Sequence, residues 1–154
     1  MDRNLVVGLF GTCSNSLWRN PFKDAFENNK IPYFDPVRPN WIPEYAAEEN
    51  NNLEQNGLVV FVITDETVSF GSLAEIGVAI AHRSRNMFQA MVVYIDDQCN
   101  DPHVTAEERK RSVNTRALVK SKLREWMIPR VYLVSTIDDA LVEAVDQYKD
   151  MFRN

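Results

Sequence analysis

Glu75 is the carboxylate whose surroundings best suit chemistry. It lies in the run Ser69-Phe70-Gly71-Ser72-Leu73-Ala74-Glu75-Ile76-Gly77-Val78-Ala79, which follows an apolar, β-branched segment and takes up helical spacing. In the first turn of a helix the positive end of the dipole favours an ionised carboxylate, a condition suited to a nucleophile or an electrostatic stabiliser. The same residues allow a plainer role. Ser72 and Glu75 match the Ser-x-x-Glu capping box, in which the glutamate only accepts from the backbone N–H of the cap. Pattern alone leaves both roles open. Glycines cluster here too: Gly8, Gly11, Gly71 and Gly77, four of the five in the chain, fall in the first apolar run and its exit or beside Glu75. They suit close approach of backbone to a ligand, or tight turns and helix packing.

Other reactive types are less well placed. Cys13, in Gly11-Thr12-Cys13-Ser14-Asn15-Ser16, has no histidine nearby in sequence to activate it, and His82 and His103 have no partner at metal-ligand spacing. The spacing of Gly8 and Gly11 falls short of a dinucleotide fingerprint, and no Walker A run occurs. No metal or organic cofactor is expected.

The elements that must hold these residues are legible from periodicity. Four short apolar runs rich in β-branched residues, Leu5–Phe10, Leu58–Thr64, Met91–Ile95 and Val131–Val134, read as buried parallel strands. Pro32–Val37, with Tyr33 and Phe34, is a weaker fifth strand with a polar exit at Asp35-Pro36. Between the runs lie helix signals. Asn20 before Pro21 suits a cap and first position, with Phe22, Ala25 and Phe26 on one face. Pro43 opens a stretch that Asn56-Gly57 closes. Ser72 opens a third helix placing Leu73, Ile76 and Ile80 on one side. Thr105 with Glu108 forms a capping box for a long basic helix toward Trp126, with a polar middle that could interrupt it. Thr136 opens a last helix carrying Leu141, Val145, Tyr148 and Phe152.

Strands alternating with helices predict right-handed crossovers and an α/β fold: a three-layer, doubly wound, five-stranded parallel sheet of the flavodoxin or Rossmann-like kind. No linker or repeat divides residues 1–154, so one domain is expected. In such sheets ligands bind beyond the carboxyl ends of the strands. That points to the loop after the first strand, Asp35 after the second, Asp65–Gly71 after the third, and Asp96-Asp97 after the fourth.

Charge and composition narrow the partners. The chain has 17 Lys and Arg against 22 Asp and Glu, a formal charge of −5, and no basic stripe, so nucleic acid and anionic membrane surfaces are not expected partners. No apolar run nears the roughly 20 residues of a spanning helix. Met1-Asp2-Arg3-Asn4 lacks the pattern of an export signal. Cys13 and Cys99 fit a reducing compartment, so a cytoplasmic protein is expected.

Three stretches resemble the nucleoside 2-deoxyribosyltransferase-like superfamily, which includes 2'-deoxynucleoside 5'-monophosphate N-hydrolases. They are Leu9-Phe10-Gly11-Thr12, Phe34-Asp35-Pro36, and Ser69-x-Gly71-x-x-x-Glu75-Ile76-Gly77-x-Ala79. The resemblance runs to about Ile95 and rests mainly on the segment around Glu75.

The resemblance implies that Glu75 is a nucleophile that attacks the anomeric carbon of a (deoxy)nucleoside and forms a glycosyl-enzyme. Such a carboxylate also stabilises the oxocarbenium character that develops as the C–N bond breaks. A transferase passes the sugar to another base, the first function expected here; a hydrolase of a nucleoside 5'-monophosphate passes it to water. The family's second acidic residue, which contacts the base, corresponds by ungapped spacing to Glu49, with Glu48 as neighbour. Gly11, Thr12, Asp35, Ser69 and Gly71 are the implied substrate-binding residues. Transferases tend to carry an aspartate where this chain has Ser69; the monophosphate hydrolases carry a serine there that helps bind phosphate. Thr12 could donate in the same way, with Arg19 as a candidate cation and Trp18 and Trp41 as candidates for stacking on a base. The implied partners are a small-molecule nucleoside or nucleotide, a free nucleobase, and further copies of the chain in a homo-oligomer. A non-catalytic nucleotide-binding module is the alternative from a different class.

Overall fold

The computed structural model describes residues 5–83 and 88–153, the side chains of 152 and 153 excepted. Met1–Asn4 and the side chain of Phe152 therefore lie outside the described residues. Five strands form one parallel sheet: β1 (Val7–Gly11), β2 (Tyr33–Phe34), β3 (Leu58–Ile63), β4 (Ala90–Ile95) and β5 (Val131–Val134), in the order β2-β1-β3-β4-β5. Between and after them run α1 (Arg19–Asn28), α2 (Ala46–Gln55), α3 (Phe70–Arg83), α4 (Ala106–Trp126) and α5 (Ile137–Arg153). This is the doubly wound, flavodoxin-like order, in which the chain reverses direction between β1 and β3.

The two faces of the sheet follow from the two-residue period of strands. Val7, Leu9, Leu58, Val60, Val62, Ala90 and Val92 point to one side, against Phe22 and Phe26 of α1 and Ala140, Ala144, Tyr148 and Met151 of α5. Phe10, Val59, Phe61, Ile63, Met91, Val93 and Ile95 point to the other, against Leu53 of α2, Leu73, Ile76 and Ala79 of α3, and Leu123 of α4. Because both faces are covered, β1 and β3 are buried at every residue. That burial is why those runs are continuously apolar instead of alternating.

Several boundaries differ from the sequence expectation. β2 is only Tyr33–Phe34, because Asp35 accepts from the Val37 N–H at 3.0 Å and turns the chain away. Helix α1 starts at Arg19, one residue after Trp18, so Asn20 is not its cap. Pro21 then falls in the first turn, where a missing N–H leaves no hydrogen bond unmade. Pro43 opens a single 3-10 turn, Pro43–Tyr45, before α2, and Asn56 leaves α2 extended (φ −65°, ψ 137°), without the left-handed residue expected at its end. Helix α4 carries the predicted Thr105/Glu108 capping box and runs unbroken for 21 residues. Its polar middle is what docks: Ser112 and Arg116 are fully buried there. Thr136 receives the Asp139 N–H at 3.0 Å and starts α5 as expected. Among the described residues no helix is long and apolar enough to cross a membrane.

Candidate active site

Helix α3 begins two residues earlier than its sequence suggests. Ser69 takes a left-handed backbone (φ 52°), and its carbonyl accepts from the Leu73 N–H at 2.9 Å, so Phe70 is the first helical residue. Ser72 is therefore inside the helix and cannot be its cap, and Glu75 lies in the second turn. The capping-box reading of Ser72 and Glu75 is thereby overturned, and Glu75 sits beyond the turn where the dipole acts most strongly.

What Glu75 faces instead is a cavity of about 670 Å³ at the carboxyl ends of the strands, on the α2 and α3 side of the switch between β1 and β3. Its walls include Gly11 at the end of β1 and Cys13 after it, Asp35 and Arg38 after β2, Trp41, Glu49 from α2 and Glu75 from α3. Gly11 is required by the sheet: at φ 129° a side chain would meet the Val62 carbonyl oxygen at 2.1 Å.

The electrostatics of Glu75 come from burial and two charged neighbours. Burial raises its pKa most, the negative charge of Glu49 raises it further, and the Arg19 guanidinium opposes both. Glu49 accepts a short hydrogen bond, 2.6 Å, from the indole N–H of Trp41 to Oε1. Asp35 is held on both oxygens: Oδ1 lies 3.4 Å from Arg19 Nε and takes the Val37 N–H, while Oδ2 pairs with Lys23.

Arg19 is a scaffold. Its buried guanidinium donates to the carbonyls of Leu9 at 3.1 Å and Thr12 at 2.7 Å, shaping the loop after β1. Its proposed use as a free cation for a phosphate does not match this placement. Trp18 is likewise buried, donating to the Thr12 carbonyl at 2.8 Å and packing edge-on against Phe22, so only Trp41 of the two candidate stacking residues reaches the cavity. Cys13 donates to the Gly11 carbonyl at 3.3 Å; desolvation raises its thiol pKa more than Arg19 lowers it, which keeps the sulfur a poor nucleophile.

Of the other expected substrate contacts, Asp35 and Gly11 line the cavity, whereas Thr12, Ser69 and Gly71 are not among its walls. Thr12 and Ser69 are buried and their hydroxyls lie 3.1 Å apart. Gly71 is exposed, with open space where a side chain would be. Glu48 points to Arg38 at 3.1 Å. Among the described residues no group of three or more His, Cys, Asp or Glu is placed to hold a metal ion, and Cys13 and Cys99 are free thiols.

Sequence reading missed a buried arginine that braces the strand exits. Arg116 donates to the carbonyls of Thr64 (2.8 Å), Thr67 (2.6 Å) and Asp96 (3.2 Å), and to Ser112 Oγ (3.0 Å), binding the exits of β3 and β4 to α4. The available signal was Ser112 four residues before Arg116 on the one stretch of α4 without an apolar stripe.

Comparison with known proteins bears on this arrangement. A family described as nucleoside 2-deoxyribosyltransferase like matches residues 5–94, more than half of the chain. No curated protein matches. Among solved structures, the RPS4 and RRS1 TIR domain heterodimer is similar at 12% identity and TM-score 0.54, covering 97% of this chain and 96% of that one. A conserved protein from Enterococcus faecalis is similar at 16% identity and TM-score 0.52, covering 95% and 98%. At such identities these two share the fold and no more. The matched residues span β1 to β4, and with them every wall of the cavity and both of its facing glutamates. The chain therefore belongs to the nucleoside 2-deoxyribosyltransferase-like family.

Proposed function

We propose that this protein cleaves the N-glycosidic bond of a 2'-deoxynucleoside and transfers the deoxyribosyl group to a second nucleobase, with Glu75 as nucleophile and Glu49 as the acid that assists the departing base. One observation carries the reading: Glu75 and Glu49 line the same cavity, near enough for the charge of one to act on the other. A cavity of about 670 Å³ is the size of sites that enclose one small molecule.

In the first half-reaction a Glu75 oxygen bonds to the anomeric carbon as the C–N bond breaks, and the base takes the bonding pair together with a proton from Glu49. In the second, an acceptor base loses its proton to Glu49 and displaces Glu75, which leaves again as a carboxylate. Desolvation, which raises the Glu75 pKa, also strips water from the nucleophile and strengthens its attraction to the developing oxocarbenium centre. Gly11 and Asp35 supply the cavity wall, while Thr12, Ser69 and Gly71 act through the shape of the two loops. The homo-oligomer implied by the family resemblance and the cytoplasmic setting expected from composition belong to the same proposal. Light scattering that gives a monomer of 17.8 kDa counts against the former.

The test is chromatography of products from 2'-deoxynucleosides and their 5'-monophosphates, each with and without a second free base. Transfer is supported by a new nucleoside that forms only with the acceptor and disappears in Glu75→Gln. Free base released without exchange assigns a hydrolase, and no Glu75-dependent product leaves a binding module.

A further inference from the structure

Trp41 sits in the connection between β2 and α2, with 52% of its surface exposed, so packing does not hold it in place. Its connection is nevertheless firmly stapled. Arg38 donates to the Asp35 carbonyl at 2.7 Å, pairs with Glu48 at 3.1 Å, and lies over the rings of Phe34 and Tyr45, 5.8 Å from each. Pro36, Pro39 and Pro43 restrict the backbone on both sides of Trp41. From this frame the indole N–H reaches Glu49 Oε1 at 2.6 Å, on the cavity wall.

An indole N–H donates and never accepts. In a protonated Glu49 the carbonyl oxygen is the better acceptor, so the indole N–H at Oε1 favours the tautomer that carries the proton on Oε2. Among the described residues no protein donor occupies Oε2, which leaves it to meet a ligand. We infer that Trp41 is a positioning residue for the proton transfer: its N–H, bound to Oε1, favours the exchangeable proton of Glu49 on Oε2, the oxygen that serves the nucleobase. The inference rests on the glycosyl transfer proposed above. The proton leaves Oε2 for the departing base as the C–N bond breaks, and returns to Oε2 from the N–H of the acceptor, so each turnover restores the starting state.

The experiment has a readout independent of turnover. Of the three tryptophan indole N–H resonances, the one lost in Trp41→Phe is the readout. It should move upfield in Glu49→Ala, which removes the acceptor at 2.6 Å. In activity, Trp41→Phe should lower kcat about tenfold with KM little changed, a fraction of the roughly 10²–10⁴ that a positioned acid supplies. In the Glu49→Ala background it should have no further effect. A 2-deoxyribosyl donor with a phenolate leaving group of low pKa needs no proton in the first half-reaction, so Trp41→Phe should slow release of the phenolate far less than release of a natural base. Equal slowing of both donors, a wild-type rate on natural nucleosides, or an indole resonance indifferent to Glu49→Ala overturns the inference. If the resonance moves as expected but wild-type protein releases no base from any donor, the glycosyl-transfer reading itself has failed and the inference falls with it.

Discussion

The Thr12 and Ser69 hydroxyls meet at 3.1 Å, although 57 residues separate them in the chain. Thr12 Oγ1 also takes the Thr64 N–H at 2.9 Å, and Ser69 Oγ lies 2.8 Å from Thr67 Oγ1. This buried hydroxyl chain ties the loop after β1 to the loop after β3, at the point where Ser69 turns left-handed and α3 begins. It therefore sets the direction from which Glu75 enters the cavity.

Removing the central hydroxyl separates bonding from strain. Ser69→Ala loses the contacts to Thr12 and Thr67 and keeps a side chain at φ 52°, so it should cost about 1–2 kcal/mol. Ser69→Gly loses the same contacts but adopts that φ freely, and should cost less. Thermal melts order the two; at about 2–4 °C per kcal/mol for a chain of this size, the difference is readable. An alanine variant more stable than the glycine variant would show that the left-handed backbone carries no strain.

Glu75→Gln should abolish transfer while raising stability at neutral pH. The folded protein raises the Glu75 pKa above its unfolded value, so folding favours the protonated form. That contribution is fully present below the unfolded value of about 4.3 and is lost as pH rises through the folded pKa. At neutral pH the ionised carboxylate works against folding, and Gln removes the cost. The melting temperature of Glu75→Gln should exceed that of wild type by a few degrees near pH 7, with the gap closing as pH falls toward about 4. A variant less stable than wild type at neutral pH contradicts the desolvation account.

The pH dependence of turnover follows from the same shift. The nucleophile must be ionised, so kcat/KM should fall on the acid side at a pH above the ordinary glutamate value of about 4.3. Glu49→Gln deletes one of the two influences that raise the Glu75 pKa. Its residual activity should be lower by about 10²–10⁴, with the acid limb displaced to lower pH. An acid limb at the same pH in both proteins excludes Glu49 as a neighbour that acts on Glu75.

The sequence carried the sheet and the chemistry further than the connections. Continuous β-branched runs could only be buried parallel strands, so Leu58–Ile63 was legible almost to the residue, and Thr105 with Glu108 marked a helix start by local chemistry alone. Gly11 and Asp35 were singled out because strand exits converge in this fold, Glu75 because its run follows β3 and resembles the family's motif, and Glu49 only through that resemblance. The misreadings share one cause: long-range contacts overruled local patterns. Ser72 and Glu75 imitate a capping box, but the left-handed Ser69, held by Thr12, starts the helix earlier. Arg19 read as a candidate cation for a phosphate, and Arg116 was not singled out, because no local pattern announces the backbone carbonyls they meet. The hydrogen bond between Trp41 and Glu49 depends on how a proline-bounded connection folds back over α2, which spacing does not encode.

Arg116 is where that long-range chemistry should cost most to disturb. Its guanidinium is fully buried and reaches three carbonyls from the exits of β3 and β4. Desolvation lowers its pKa, yet a guanidinium stays protonated in proteins, so the charge is permanent and its partners are all dipoles that the loops must present. Arg116→Met fills a similar volume but leaves those carbonyls without a donor, at a cost of about 3 kcal/mol or more. Arg116→Lys keeps the charge but replaces a planar fork with a single point, which cannot span carbonyls from residues as far apart as Thr64 and Asp96. Both variants should shift the urea midpoint downward, Met further than Lys. Both should also lower kcat/KM in conditions where they remain folded, because the loop that starts α3, and with it Glu75, loses its anchor at Thr67. A lysine variant with the wild-type midpoint and rate would show that charge alone, without the fork, holds the exits of β3 and β4 to α4.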